Sequence, residues 1–550
     1  STEGRLARAT LAFARSQSDP AAAHASASDL RDELDLALRG SGFAEAGWSR
    51  ASAALRRPLA LLAQVAVRAG DAPESFRLLQ LATLSDMGEW EQRRKVAAAG
   101  ADPDGRNRLE TLRRTRESLM RADTALQEAV AAGDRSEARR HRQEMSVLRE
   151  GLSEALNGFP DMARGGLTLR SLAEVRAALP PDQAVLMVVA DPRPTAILVR
   201  SDRTVLRHTE RLGAELQKAA DGLRRAVLRG EASSLTDEAA ALGWLFEAGD
   251  LDGVELLHVL GVDVYGRFPM HLLPDPSAPE RWLGERVAIN HLSGLDALFG
   301  EANAQTHSGR MPRLLALGDA DFQGHSDVAP GMDEDADANA WNAALPASDP
   351  LAEALRRLPP LPGSRAEVED ITRTFGGEAT LLLGPDATET AFRAARPEMA
   401  DLIVLATHGL AAGQLPGLSE PALVFAQDDQ ADAGPAQDGL LTALEAADFV
   451  LSADLVILSA CNTAAAEGGD PALSGLPRAF VSAGANSVMV SHWPVRDDAA
   501  AFLSTAVFTA RQDGAQPAVA LRDAMGALRA SGLPDADDPS VWAPFVVVGG

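Results

Sequence analysis

Hydrophobic positions in the first third of the chain recur at helical spacing. Leu109, Leu112, Leu119, Leu126 and Val130 form one stripe, and Met145, Leu148, Leu152 and Leu156 form another beyond Gly133, which predicts an antiparallel helical hairpin. Upstream, residues 60–84 carry an apolar stripe broken at Gly70 and Asp71, so a second helix pair is expected there. From about Gln183 the pattern changes to short apolar runs. Residues 184–191 and 195–202 flank a Pro-containing turn, and further runs follow at 254–261, 312–319, 401–409, 453–461 and 485–493. Several are almost continuously hydrophobic, as strands buried on both faces must be. Helical stretches at 367–375, 387–395 and 475–484 separate the later runs. The alternation predicts an α/β fold with a mainly parallel sheet flanked by helices, preceded by an all-α helical-hairpin region.

Charge divides the chain at the same place. It has 550 residues, 52 of them basic and 78 acidic, for a formal net charge of -26. Residues 1–180 hold 27 basic and 25 acidic side chains, so the remainder stands at -28. All basic residues except Lys95 and Lys218 are arginines. Net acidity argues against general phosphate-backbone binding, and nucleic acid is not an expected partner. The acidic stretches 326–350 and 427–439, rich in Ala, Gly and Pro, are expected as solvated loops. No apolar run approaches the ~18 residues of a membrane span and no signal-peptide core is visible, so a cytoplasmic location is expected.

The candidate chemistry sits at strand ends. There is no P-loop lysine, G-x-G-x-x-G, H-E-x-x-H or G-x-S-x-G, so no cofactor and no metal is expected. What stands out is LATHG, closing one run with His408 and Gly409, and LSACNT, closing another with Cys461, the only cysteine. Taken singly, a lone cysteine reads equally as a buried packing thiol, and a histidine after a strand as a hydrogen-bonded structural group. Together they fit nucleophilic catalysis, because in open α/β sheets the functional crevice lies beyond the carboxyl ends of parallel strands. Their separation of 53 residues leaves room for one crossover between neighbouring strands.

Seven further landmarks occur in order: AEVEDI (366–371), LLGPDATETAFR (382–393), ATHG (406–409), DGLLTALEA (438–446), LSACNT (458–463), GLPRAFVSAGANSVMVSHWPVRDD (475–498) and WAPFVVVGG (542–550). Through them the chain resembles the CHAT peptidases, a caspase-like family often attached to tetratricopeptide repeats. Weaker similarity at YGRFPMHLLP (265–274) and WLGERVAINHLSGL (282–295) extends the resemblance to roughly 181–550. The helix pair at 60–84 resembles one tetratricopeptide-type unit, without a visible 34-residue period.

The resemblance implies a cysteine endopeptidase of caspase-like fold, acting on a protein substrate. His408 would be general base then acid, Cys461 the nucleophile, and the backbone amides of Gly409 and Cys461 the oxyanion hole. It further implies that Ser459, two residues before the nucleophile, lines the pocket for the side chain preceding the scissile bond. Because Ser459 is uncharged, a small or apolar side chain is expected there. Ser491 and Trp493 would lie along the substrate groove, with Asp497 or Asp498 at its end. Three units follow: a helical region 1–180 taking a regulatory protein partner, an α/β part 181–310, and a catalytic core 311–550. A catalytically silent caspase-like scaffold or adaptor is the alternative.

Overall fold

The computed structural model describes residues 2–40, 45–83, 137, 140–141, 169–261, 264–266, 268–299, 311–322, 350–415, 418, 420–427, 438–459 and 475–549. Cys461, most of the hairpin expected over 109–156 and nearly all of the two acidic loops lie outside the described residues. The strands are β1 Gln183–Val189, β2 Thr195–Arg200, β3 Thr204–His208, β4 Leu256–Leu260, β5 Pro274–Asp275, β6 Ala278–Trp282, β7 Ala288–His291 and β8 Arg313–Ala320. They continue as β9 Glu378–Gly384, β10 Leu402–Ala406, β11 Gly409–Leu410, β12 Ala422–Val424, β13 Leu440–Thr442, β14 Leu455–Leu458, β15 Ser487–Ser491 and β16 Phe545–Gly549.

One eleven-stranded sheet, ordered β3-β2-β1-β4-β7-β16-β15-β14-β10-β8-β9, organises the described chain. Strands β9, β8, β10, β14 and β15 run parallel to one another. Strands β1, β4, β7 and β16 form a second parallel set. Direction reverses where β16 pairs antiparallel with β15, and β2 and β3 are antiparallel additions. This is the expected mainly parallel sheet, and it runs without interruption across residue 310. A small sheet, β11-β12-β13, lies beyond the end of β10.

Burial explains why the central strands are so uniformly aliphatic. Every residue of β10 (LIVLA) and β14 (LVIL) is buried, because helices cover both faces. On one face Val368 and Ile371 of helix Pro362–Thr374, with Leu503, Val507 and Phe508 of helix Asp497–Gln512, pack on Leu314, Val404 and Ile457. On the other, Leu476, Ala479 and Phe480 of helix Leu476–Ser482 pack with Leu315, Leu405 and Val456. A third core joins the N-terminal helices to the sheet. Leu59, Leu62 and Val65 of helix Glu45–Ala69 and Phe76 and Leu79 of helix 72–83 meet Val185, Met187, Val189, Ile197 and Val199. Alternation along β1 sends Leu186 and Val188 to the opposite core.

Candidate active site

Strands β10 and β14 pair in parallel, Leu402 level with Leu455 and Leu405 with Leu458, so their carboxyl ends open on one edge of the sheet. Thr407 and His408 follow β10 directly. The Thr407 hydroxyl donates to the Val424 carbonyl and the Val424 N–H donates to the His408 carbonyl at 2.9 Å, which ties the strand end to β12. Gly409, buried, opens β11 and pairs with Leu423. The His408 ring lies 4.9 Å from Phe322, centroid to centroid. Its Nε2 is 2.8 Å from the Pro359 carbonyl. A carbonyl only accepts, so the Nε2 nitrogen carries the hydrogen and Nδ1 is the basic one. Burial lowers the histidine pKa, and the bond to Pro359 opposes it.

Ser459, the first residue beyond β14, faces helix Pro362–Thr374. Its hydroxyl donates to Glu367 Oε2 at 2.9 Å. Glu367 is 3% exposed, and its other carboxyl oxygen, Oε1, has no hydrogen-bond partner among the described residues. Burial pushes the Glu367 carboxyl up to about 7, and the charge of Asp497 adds to that rise. The Ser459 bond acts the other way, as does the adjacent Ser504 hydroxyl, whose geometry falls short of a formed hydrogen bond. Ser364, Glu367, Thr407, Ser459 and Asp497 line one cleft with the apolar walls of Leu361, Val495, Ala500 and Phe545. It encloses about 400 Å³, part of it open to solvent. Asp497 is pressed against Gly363, where a methyl group would meet Asp497 Oδ2 at 2.2 Å.

The structure thus brings Ser459 and Asp497 into one cleft beside Thr407. It does not bring the other expected groove residues there. Trp493 is 1% exposed, with Nε1–H donating to the Ser540 carbonyl. Ser491 is fully buried at the end of β15. Asp498 turns outward to a bidentate pair with Arg496. Glu367 was not singled out from the sequence, although a signal is there. Ser364, Glu367, Val368 and Ile371 share the buried helix face at i, i+3, i+4 and i+7, so an acid occupies the apolar stripe. No group of three or more His, Cys, Asp or Glu among the described residues could hold a metal ion. None of the described helices is long and apolar enough to cross a membrane.

A mainly parallel sheet covered on both faces, with its polar edge at the ends of β10 and β14, is an architecture of the caspase-like class, which is related to cysteine proteases. Residues 261–550 match the CHAT domain family, more than half of the chain, and the chain belongs to that family. It is 33% identical over 135 residues to tetratricopeptide repeat protein 28 of Mus musculus and 32% identical over 135 residues to that of Homo sapiens. Each match covers 24% of this chain and 5% of the relative, so only a small part of those proteins has a counterpart here. Among solved structures, a chain of the Saccharomyces cerevisiae separase–securin complex is similar with a TM-score of 0.49 and 9% identity, over 97% of this chain and 38% of that one. The Arg-specific cysteine proteinase gingipain R is similar at 0.31 and 10% identity, over 58% and 67%.

Proposed function

We propose that this chain is a cysteine endopeptidase in which His408 and Cys461 form a catalytic dyad. The observation that carries this reading is the β10–β14 register. Leu402 is level with Leu455, an offset of 53 residues, and His408 and Cys461 are separated by the same 53. Parallel strands keep such an offset for as long as they run side by side, which supports a histidine and a thiol at adjoining strand ends. Nδ1 of His408 would take the thiol proton, a step that matters because a thiol of pKa ~8.5 is mostly protonated at neutral pH. The thiolate attacks the scissile carbonyl carbon, and the amides of Gly409 and Cys461 would hold the oxyanion. The imidazolium, steadied by the Pro359 carbonyl, returns its proton to the amine as the C–N bond breaks, leaving a thioester. Water activated by the same imidazole then hydrolyses the thioester and restores the thiol.

Residues 1–180 would receive a regulatory protein partner, and the packing of the helices within 45–83 against β1 and β2 supports coupling between that region and the sheet. Labelling of the intact chain with a thiol-directed electrophilic peptide tests the dyad. Modification of Cys461 that is fast in the native chain and slow in His408→Ala is expected. Equal labelling of the two, with no cleavage of any peptide, would favour the silent scaffold.

A further inference from the structure

Glu367 does more than anchor the end of β14. Its Oε2 is bonded by Ser459, while Oε1 is buried and unpartnered among the described residues and borders a cleft that also holds Asp497. An unpartnered buried carboxyl oxygen is costly unless something completes it. The cleft has the make-up of a site for a long basic side chain: apolar walls at Leu361, Val495, Ala500 and Phe545 for the methylenes, and two acids with Ser364 and Ser459 for the head. Its lining also touches both halves of the proposed dyad, through Thr407 one residue before His408 and Ser459 two before Cys461. A side chain held there belongs to a residue whose carbonyl is within reach of that dyad.

We propose that the cleft between Glu367, Ser459 and Asp497 receives the arginine or lysine side chain of the substrate residue preceding the scissile bond. The proposal rests on the peptidase reading for its place in the reaction, and it replaces the small or apolar side chain expected from Ser459 alone. The acid absent at position 459 is supplied through it by Glu367. The charged side chain acting on Glu367 is Asp497, on helix Asp497–Gln512, while β10 and β14 present Thr407 and Ser459, which are uncharged. An empty cleft holds Glu367 partly protonated near neutral pH. A guanidinium would draw it into the ionised form, so binding of a basic side chain strengthens as pH rises through about 7.

The test uses the intact chain and peptides that differ only in the residue before the cleaved bond. With arginine or lysine, kcat/KM should exceed that for norleucine by about thirtyfold or more, the scale of a desolvated charge pair. The ratio should rise with pH across neutrality and collapse towards one in Glu367→Gln. Glu367→Asp, which keeps the charge, should retain part of it and guards against a folding artefact. A wild-type ratio near one, or an unchanged ratio in Glu367→Gln, overturns the proposal. So does an equal slowing of basic and norleucine peptides in a folded Glu367→Gln chain, which would mean that Glu367 only holds Ser459. Calorimetric titration of Cys461→Ala with benzamidine is independent of turnover. Binding that Glu367→Gln abolishes supports the cleft even if no peptide is cut, in which case the peptidase reading alone fails; no binding at millimolar benzamidine counts against the cleft.

Discussion

His408 has one ring nitrogen committed to the Pro359 carbonyl and one left for chemistry, and burial keeps the free nitrogen unprotonated at neutral pH. A base with a lowered pKa stays active as the solution is acidified past the ordinary imidazole value of ~6.5. The acid limb of kcat/KM for a norleucine peptide is therefore expected below that pH, and a limb above it would contradict the buried geometry. Cys461→Ala and His408→Ala should each cost on the order of 10⁴-fold in kcat. The double variant should lose little more, since members of one catalytic unit are not additive. His408 was legible in the sequence through LATHG. Its partner Pro359 was not, because a main-chain carbonyl 49 residues upstream leaves no trace in residue type.

At the level of elements, β10 and β14 were legible because burial on both faces demands an unbroken aliphatic run. The cleft they open was legible only in part. Ser459 and Asp497 were picked out along the chain, but the Ser459–Glu367 bond joins residues 92 apart on different elements. The sequence reading weighed the charge at position 459 alone and so missed the acid standing behind it. The contact between helices Pro362–Thr374 and Asp497–Gln512 is equally exacting. A methyl group at Gly363 would lie 2.2 to 2.4 Å from Oδ2, Cβ and Cγ of Asp497, too close for any rotamer change to relieve. Gly363→Ala should lower stability by about 1–3 kcal/mol through forced separation of the two helices. A thermal midpoint equal to that of the unaltered chain would show that the helices are free to part.

Across the whole molecule, the N-terminal helices are part of the sheet's covering. A chain beginning at residue 181 would expose Val185, Met187, Val189, Ile197 and Val199, which the third core buries, at about 1.5–3 kcal/mol for each side chain fully uncovered. It should be less soluble and melt lower than the full chain; equal solubility and melting would show the helices dispensable to the fold. Acid should also weaken the molecule. Burial lowers His258, His271 and His291 to about 4, and His492 falls well below its ordinary value. Between ~6.5 and about 4 the unfolded chain therefore binds protons that the folded one refuses, so stability present above ~6.5 is lost as pH falls. The loss amounts to roughly 3 kcal/mol per histidine at most, and urea midpoints at pH 7 and pH 5 would measure its onset. Strand β16 adds a matter of timing. It lies between β7 and β15, yet residues 545–549 are translated after both neighbours. Until those residues leave the ribosome the two parallel halves have no seam, and a nascent chain stalled short of them should be digested readily by an added protease.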